Sequence, residues 1–167
     1  TGDPSASRVA RLDLALLRAQ VAMELADVLE AEDRNHNHEQ QTLVIEQPGD
    51  EPDREVQVRV WTWPNRARIL GLYDEAAHLY HGIAALGGDE NATARAGLAA
   101  YRAAAFVHHI DQMYRFVKAR YGDRLRGLEE PESPVPFWEE VVTRYPNSRR
   151  APEAMMALAR HYLSQGE

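Results

Sequence analysis

Between Asp33 and Pro64 the spacing of apolar residues leaves the helical period, becomes a strict alternation, and then reverts. Val56, Val58 and Val60 alternate with Gln57, Arg59 and Trp61, the period-2 pattern of a half-buried strand. A second extended stretch runs from Thr42 to Gln47, and Pro48-Gly49-Asp50-Glu51-Pro52-Asp53 lies between them as strong turn chemistry. The pattern predicts a β-hairpin over residues 42–63 with an acidic tip. A two-stranded hairpin is marginal in water, so this one must lean on helices or on a partner.

Everything around it has helical spacing. The first helix is expected over residues 4–33, with Asp3 as N-cap and Pro4 at the first position, where its missing N–H needs no partner. Val9, Leu12, Leu16, Ala19, Met23 and Ala26 form one apolar stripe; Leu14, Leu17, Val21, Leu25 and Val28 form another. Two stripes predict packing on two sides. The polar run Asp33 to His38 ends the helix. Helices are expected again over residues 64–122, with a stop at Gly87-Gly88, a cap at Asp89, an alanine-rich stretch from Ala92 to Ala105 and a continuation or break at His108-His109. A loop from Gly127 to Ser133 leads into a helical hairpin over residues 134–166. The expected fold is mainly α in one domain, built of antiparallel helical hairpins with a long N-terminal helix and an inserted β-hairpin.

Composition removes several function classes. The net charge is −7 and no basic stripe is present, which argues against nucleic acid as a partner. The absence of cysteine removes disulfides, thiolate metal sites and cysteine nucleophiles. No apolar run reaches the roughly 20 residues that span a bilayer. The sequence opens on Thr1 rather than Met, so membrane association through a partner, or through an anchor upstream, is compatible with it.

The helical hairpins resemble tetratricopeptide repeats (TPRs), whose period of about 34 residues pairs two antiparallel helices. Trp138, Val141 and Pro146 match the aromatic, small apolar and terminating positions of a second helix, and Met155, Leu158, Ala159, Tyr162 and Gly166 match the next first helix. Tyr73, Ala76, Tyr80, Ile83 and Gly88 fit a second-helix frame, with Tyr101, Tyr114, Val117 and Gly122 in register after it. The phrase Arg144 to Ala154 looks like TPR proteins of the bacterial cell envelope, including Tol–Pal-associated and outer-membrane-assembly lipoproteins. The two matching blocks are out of register, Pro134 replaces the usual alanine, Pro64 blocks a full helix before Tyr73, and the hairpin is foreign to the family. The resemblance implies an α-solenoid. Trp138 and Tyr162 would then be buried, and Ala159 would sit where helices cross.

No catalytic signature stands out: there is no Gly-x-Ser-x-Gly, P-loop, His-Glu-x-x-His or dinucleotide fingerprint. No catalytic, metal-binding or cofactor-binding residue is expected. The function read from this is a non-catalytic protein–protein interaction module, a scaffold or an accessory subunit of a larger complex. Its bacterial location would be the envelope or periplasm, with the cytoplasm as the other compartment. Its candidate partner-binding residues are Trp61, Trp63, Tyr101 and Tyr162, the tryptophans facing outward if the strand valines face in. The alternative is a helical-bundle metalloprotein or enzyme in which His78, His81, His108 and Asp111 converge on a metal.

Overall fold

The computed structural model describes residues 3–87 and 91–166. The elements are α1 (Pro4–His36), β1 (His38–Ile45), β2 (Arg54–Trp61), α2 (Arg66–Ala85), α3 (Ala92–Tyr121), β3 (Leu125–Arg126), α4 (Val135–Arg144) and α5 (Ala151–Ser164). The chain is mainly helical with a small antiparallel sheet. The expected stop at Gly88 and cap at Asp89 lie outside the described residues.

Helix α1 begins as its sequence requires, with the Asp3 carboxylate accepting the Ser5 N–H at 3.0 Å. It packs antiparallel on α2: Arg8 reaches the Leu86 carbonyl near one end and Asp33 meets Asn65 at the other. Ala19, Ala22, Met23, Ala26 and Leu29 are the buried side of this contact. The second stripe behaves otherwise than expected. Leu14, Leu17, Val21 and Val28 are 58%, 56%, 53% and 62% exposed, so within the described residues α1 packs on one side only.

Helix α3 runs antiparallel to α2 and does not break at His108-His109. Ala92, Ala96, Ala99 and Ala103 recur on one of its faces and are buried, which lets the α2 and α3 backbones approach closely. Tyr73 of α2 ties all three helices. Its ring is fully buried, and its hydroxyl lies 2.7 Å from Asp27 and 2.8 Å from Glu30 of α1. Arg102 of α3 reaches Asp27 at 2.5 Å.

The α4–α5 hairpin docks on the other side of α3. Its two helices are antiparallel, since Tyr162 near the end of α5 bonds Glu139 near the start of α4. Trp138, Val141 and Ala154 close a core over Ala104. Trp138 is buried, as the sequence leads one to expect, but Tyr162 is 37% exposed and Ala159 is exposed. The buried small residues of α5 are Ala151 and Ala154 instead, because they face α3 and α4 while Ala159 has turned away. Gly97 makes the docking possible. A Cβ there would lie 2.8 Å from Ser148 Oγ and 2.9 Å from Ser148 Cβ in the α4–α5 turn.

The hairpin forms with Leu43 opposite Val56 and Gln41 opposite Val58, and starts at His38 rather than Thr42. Asn37 ends the helix and opens the ladder: its side chain donates to Asp33, and its carbonyl accepts the Thr62 N–H at 2.8 Å. The sheet order is β2-β1-β3. The short β3, inside the stretch expected as a connection, is held by the buried Leu125 and by an Arg126–Glu46 ion pair at 2.8 Å. Leu43, Val58, Val60, Val117 and Leu125 form the core between the sheet and α3.

Two pairs of substitutions test this packing by thermal denaturation. Gly97→Val should cost about 1–3 kcal/mol by overpacking. Gly82→Ala should raise stability by roughly 0.5–1 kcal/mol, because it relieves the helical entropy cost of glycine, and no atom lies within 4 Å of a Cβ built there. Asp33 is fully buried and accepts from Asn37, the Asn65 amide and the Asn65 backbone N–H. Asp33→Ala should therefore cost about 2–4 kcal/mol by stranding these donors, and Asp33→Asn should cost less.

Candidate interaction cleft

The sheet covers only the last turns of α3, and a cleft of about 490 Å³ remains beside it. One wall is α3 with Ile110, Met113, Tyr114 and Val117; the other is the inner sheet face with Glu39, Gln41 and Val60. Trp61, Trp63 and Arg66 close one end and the strip Gly127 to Pro131 the other. The volume is in the range of small-ligand and peptide pockets, and the lining mixes aromatic and apolar side chains with a few polar ones.

The two tryptophans arrive by different routes. Val58 and Val60 face inward and are buried, so Trp61 falls on the outer register of β2. There it meets His38 at 6.4 Å, and Arg59 lies over its ring at 5.8 Å. Trp63 departs from the expected outward register. It lies past the strand and turns onto α3, edge-on to Phe106 and His109 at 5.6 Å each. It anchors the cleft floor while leaving part of its indole accessible.

Tyr101 and Tyr162 are elsewhere. Tyr101 packs at 5.5 Å on Trp138, donates to Glu153 at 2.6 Å and lies under Arg150, a tie between α3 and α5. Tyr162 lies on the exposed side of α5. Met113, Tyr114 and Leu128 are cleft residues that the sequence did not single out for binding. No one-dimensional signal marks them, because only the fold brings the middle of α3 beside the end of β2.

The rim is acidic. Glu39 and Glu129 line the cleft without a cationic partner among the described residues, whereas Arg66 is already paired with Glu132. Burial raises the Tyr114 hydroxyl pKa, and the nearby Glu130 carboxylate raises it further. Among the described residues, the sheet also leaves backbone unpaired. Thr62 bonds Asn37 and Glu46 bonds Arg124, which fixes the alternation of the ladder. By that alternation Glu55, Gln57, Arg59 and Trp61 point their backbone groups off the free edge of β2, and His38, Gln40 and Thr42 off the part of β1 that β3 does not cover.

The histidines do not form the alternative metal centre. His78 bonds the Asp74 carbonyl, His81 lies edge-on to Tyr145 and His108 edge-on to Trp138, and Asp111 is buried in an ion pair with Arg115 at 2.8 Å. Among the described residues no group of three or more His, Asp or Glu is arranged to hold a metal ion. Nor is any described helix long and apolar enough to cross a membrane. No protein-family model, curated protein or solved structure matches the chain.

Burial lowers the pKa of both His108 and His109 below the ordinary imidazole value. The folded state thus favours the neutral rings, and the unfolded chain takes up more protons as pH falls. This stabilisation is complete above the unfolded value of about 6.5 and is lost as pH drops towards the lowered folded values. The melting temperature should fall between about pH 7 and pH 5, and His108→Gln/His109→Gln should flatten that slope.

Proposed function

We propose that the chain is a non-catalytic protein–protein interaction module of divergent TPR-like type, serving as a scaffold or accessory subunit of a larger assembly. The observation that carries the reading is the open, acidic-rimmed aromatic cleft between the hairpin and α3. Aromatic side chains presented at the edge of a recess are the usual anchors of protein interfaces. Its chemistry fits a segment of another protein that offers an apolar side chain flanked by Lys or Arg. The unpaired edges of β1 and β2 add a means of holding such a segment extended, through main-chain hydrogen bonds.

The TPR likeness supports the reading through successive helical hairpins with small residues at their crossings. The hairpin and the cleft depart from it and supply the specific role. The likeness of residues 144–154 to envelope proteins supports a location in the bacterial cell envelope or periplasm, where a partner would provide any membrane association.

Affinity capture from the native source, run in parallel with the intact chain and with Trp61→Ala/Tyr114→Ala, tests the reading. The expected result is a protein that the intact chain retains, that rebinds when purified, and whose affinity falls at least tenfold in the variant, about 1.4 kcal/mol or more. Equal retention by both chains overturns the cleft reading. Stoichiometric, tightly bound metal in the purified protein would overturn the non-catalytic scaffold reading.

A further inference from the structure

The central strand β1 is covered on its second side for only part of its length. β3 pairs with Val44 and Ile45, and the bond from Glu46 to Arg124 extends that ladder away from His38. Among the described residues, no backbone hydrogen bond joins residues 127–133 to β1. Gly127 is where the pairing stops. Its φ of +95° takes the chain off the strand path, and a Cβ there would lie 3.3 Å from Leu43 Cδ2, so another residue would be both strained and crowded. The chain then continues as the Gly127 to Pro131 wall of the cleft. His38, Gln40 and Thr42 are left with their N–H and C=O groups directed off this edge of β1.

The charges choose between the two open edges of the sheet. The carboxylates of the cleft lining are Glu39 on β1 and Glu129 on the Gly127 to Pro131 strip. β2 contributes Val60 and Trp61 to the lining and carries the Arg59 guanidinium over Trp61. A basic segment is therefore drawn to the β1 edge rather than to that of β2. Gln41, half-buried, shares the lining with the apolar Val117 and Leu128.

We propose, on the cleft reading given above, that β1 accepts an extended segment of a partner protein as an added antiparallel strand, in line with β3. Continuing the register of β3 sets successive residues of the segment against Thr42, Gln41, Gln40, Glu39 and His38. The residue against Gln41 enters the cleft and is apolar. The residue against Glu39, two places later, enters it as Lys or Arg. The residues against Thr42, Gln40 and His38 make the main-chain bonds and turn their side chains outward. The recognised pattern is apolar, any, basic, read from the segment's N-terminus.

The probe is the peptide acetyl-Ser-Thr-Val-Thr-Lys-Thr-Ser-amide, titrated into the isotope-labelled chain and followed by NMR. The amide signals of His38, Gln40 and Thr42 should move and gain protection from hydrogen exchange, while those of Glu55, Gln57 and Arg59 should not. Methylating the backbone nitrogen of the central Thr, which bonds Gln40, should weaken binding by about tenfold. Methylating that of the Lys, which points away from β1, should not. Exchanging the Val and the Lys should abolish binding. Glu39→Gln/Glu129→Gln should remove the preference for Lys over norleucine with the melting temperature unchanged, because both carboxylates are exposed. No binding of the peptide, binding indifferent to methylation of the central Thr, or protection at Glu55, Gln57 and Arg59 instead would each overturn the proposal. The cleft reading beneath it stands if the peptide fails while a partner captured from the native source still needs Trp61 and Tyr114, and falls if that partner is retained equally without them.

Discussion

The Tyr73 hydroxyl faces two carboxylates, Asp27 and Glu30, from inside the contact between α1 and α2. One phenolic proton cannot satisfy both, and two acids this close at a partly buried site would repel. The arrangement holds because each carboxylate has its own guanidinium: Arg102 on Asp27 at 2.5 Å and Arg34 on Glu30 at 2.6 Å. Arg102 belongs to α3, so the charge balance of the α1–α2 seam is completed by the third helix. Burial and the two acids raise the Tyr73 pKa well above the usual phenol value, so the hydroxyl stays a donor throughout the range in which proteins fold. Fixing α1, α2 and α3 against one another also fixes the distal half of α3, which carries both the sheet and the cleft.

The cleft follows from how little of α3 the sheet covers. Val117 is the buried α3 residue of the sheet core, against Leu43, Val58, Val60 and Leu125. Before Val117, Tyr114 and Met113 point into the gap; beyond β2, the chain must turn back to start α2. Trp63 makes that turn by packing edge-on against Phe106 and His109. The indole therefore has two roles: it anchors the crossover from sheet to helix, and it supplies the apolar floor of the recess. Asp33 supports the same corner by capping Asn65 at the entrance of α2.

How much of this could be read from the sequence depended on how local the physics was. The hairpin was legible because the valine alternation and the Pro48 to Asp53 turn are local signals. The long helices were legible from their period and from the Asp3-Pro4 start. β3 was not, since two residues carry no period, and Leu125 is buried only because β1 lies beside it. Ala159 was misplaced for a related reason. A helical repeat pattern gives spacing but not rotation, and in α5 it is Ala151 and Ala154 that face α3 and α4. The tryptophans were legible as unusual, but their convergence with Met113 and Tyr114 belongs to the fold. The paired stripes of α1 were read correctly as apolar, but packing on both was expected, and Leu14, Leu17, Val21 and Val28 of the second are exposed, because apolar spacing alone does not say which face of a helix meets a neighbour.

Net charge illustrates the same distinction. A value of −7 for the whole chain is a statement about solubility. Its distribution is more informative. Asp27, Glu30 and Asp111 face arginines, and Asp33 is enclosed by amide donors, so these four acids are spent inside the fold. Glu39 and Glu129 at the cleft, and Glu32 beside the exposed stripe of α1, have no cation within the described residues. Exposed ion pairs contribute little stability, so leaving these three unpaired costs the fold almost nothing. What they do is set a local negative potential next to apolar surface at two separate places. An apolar patch alone attracts many surfaces, whereas one with a charge fixed at its edge rejects those of the wrong sign.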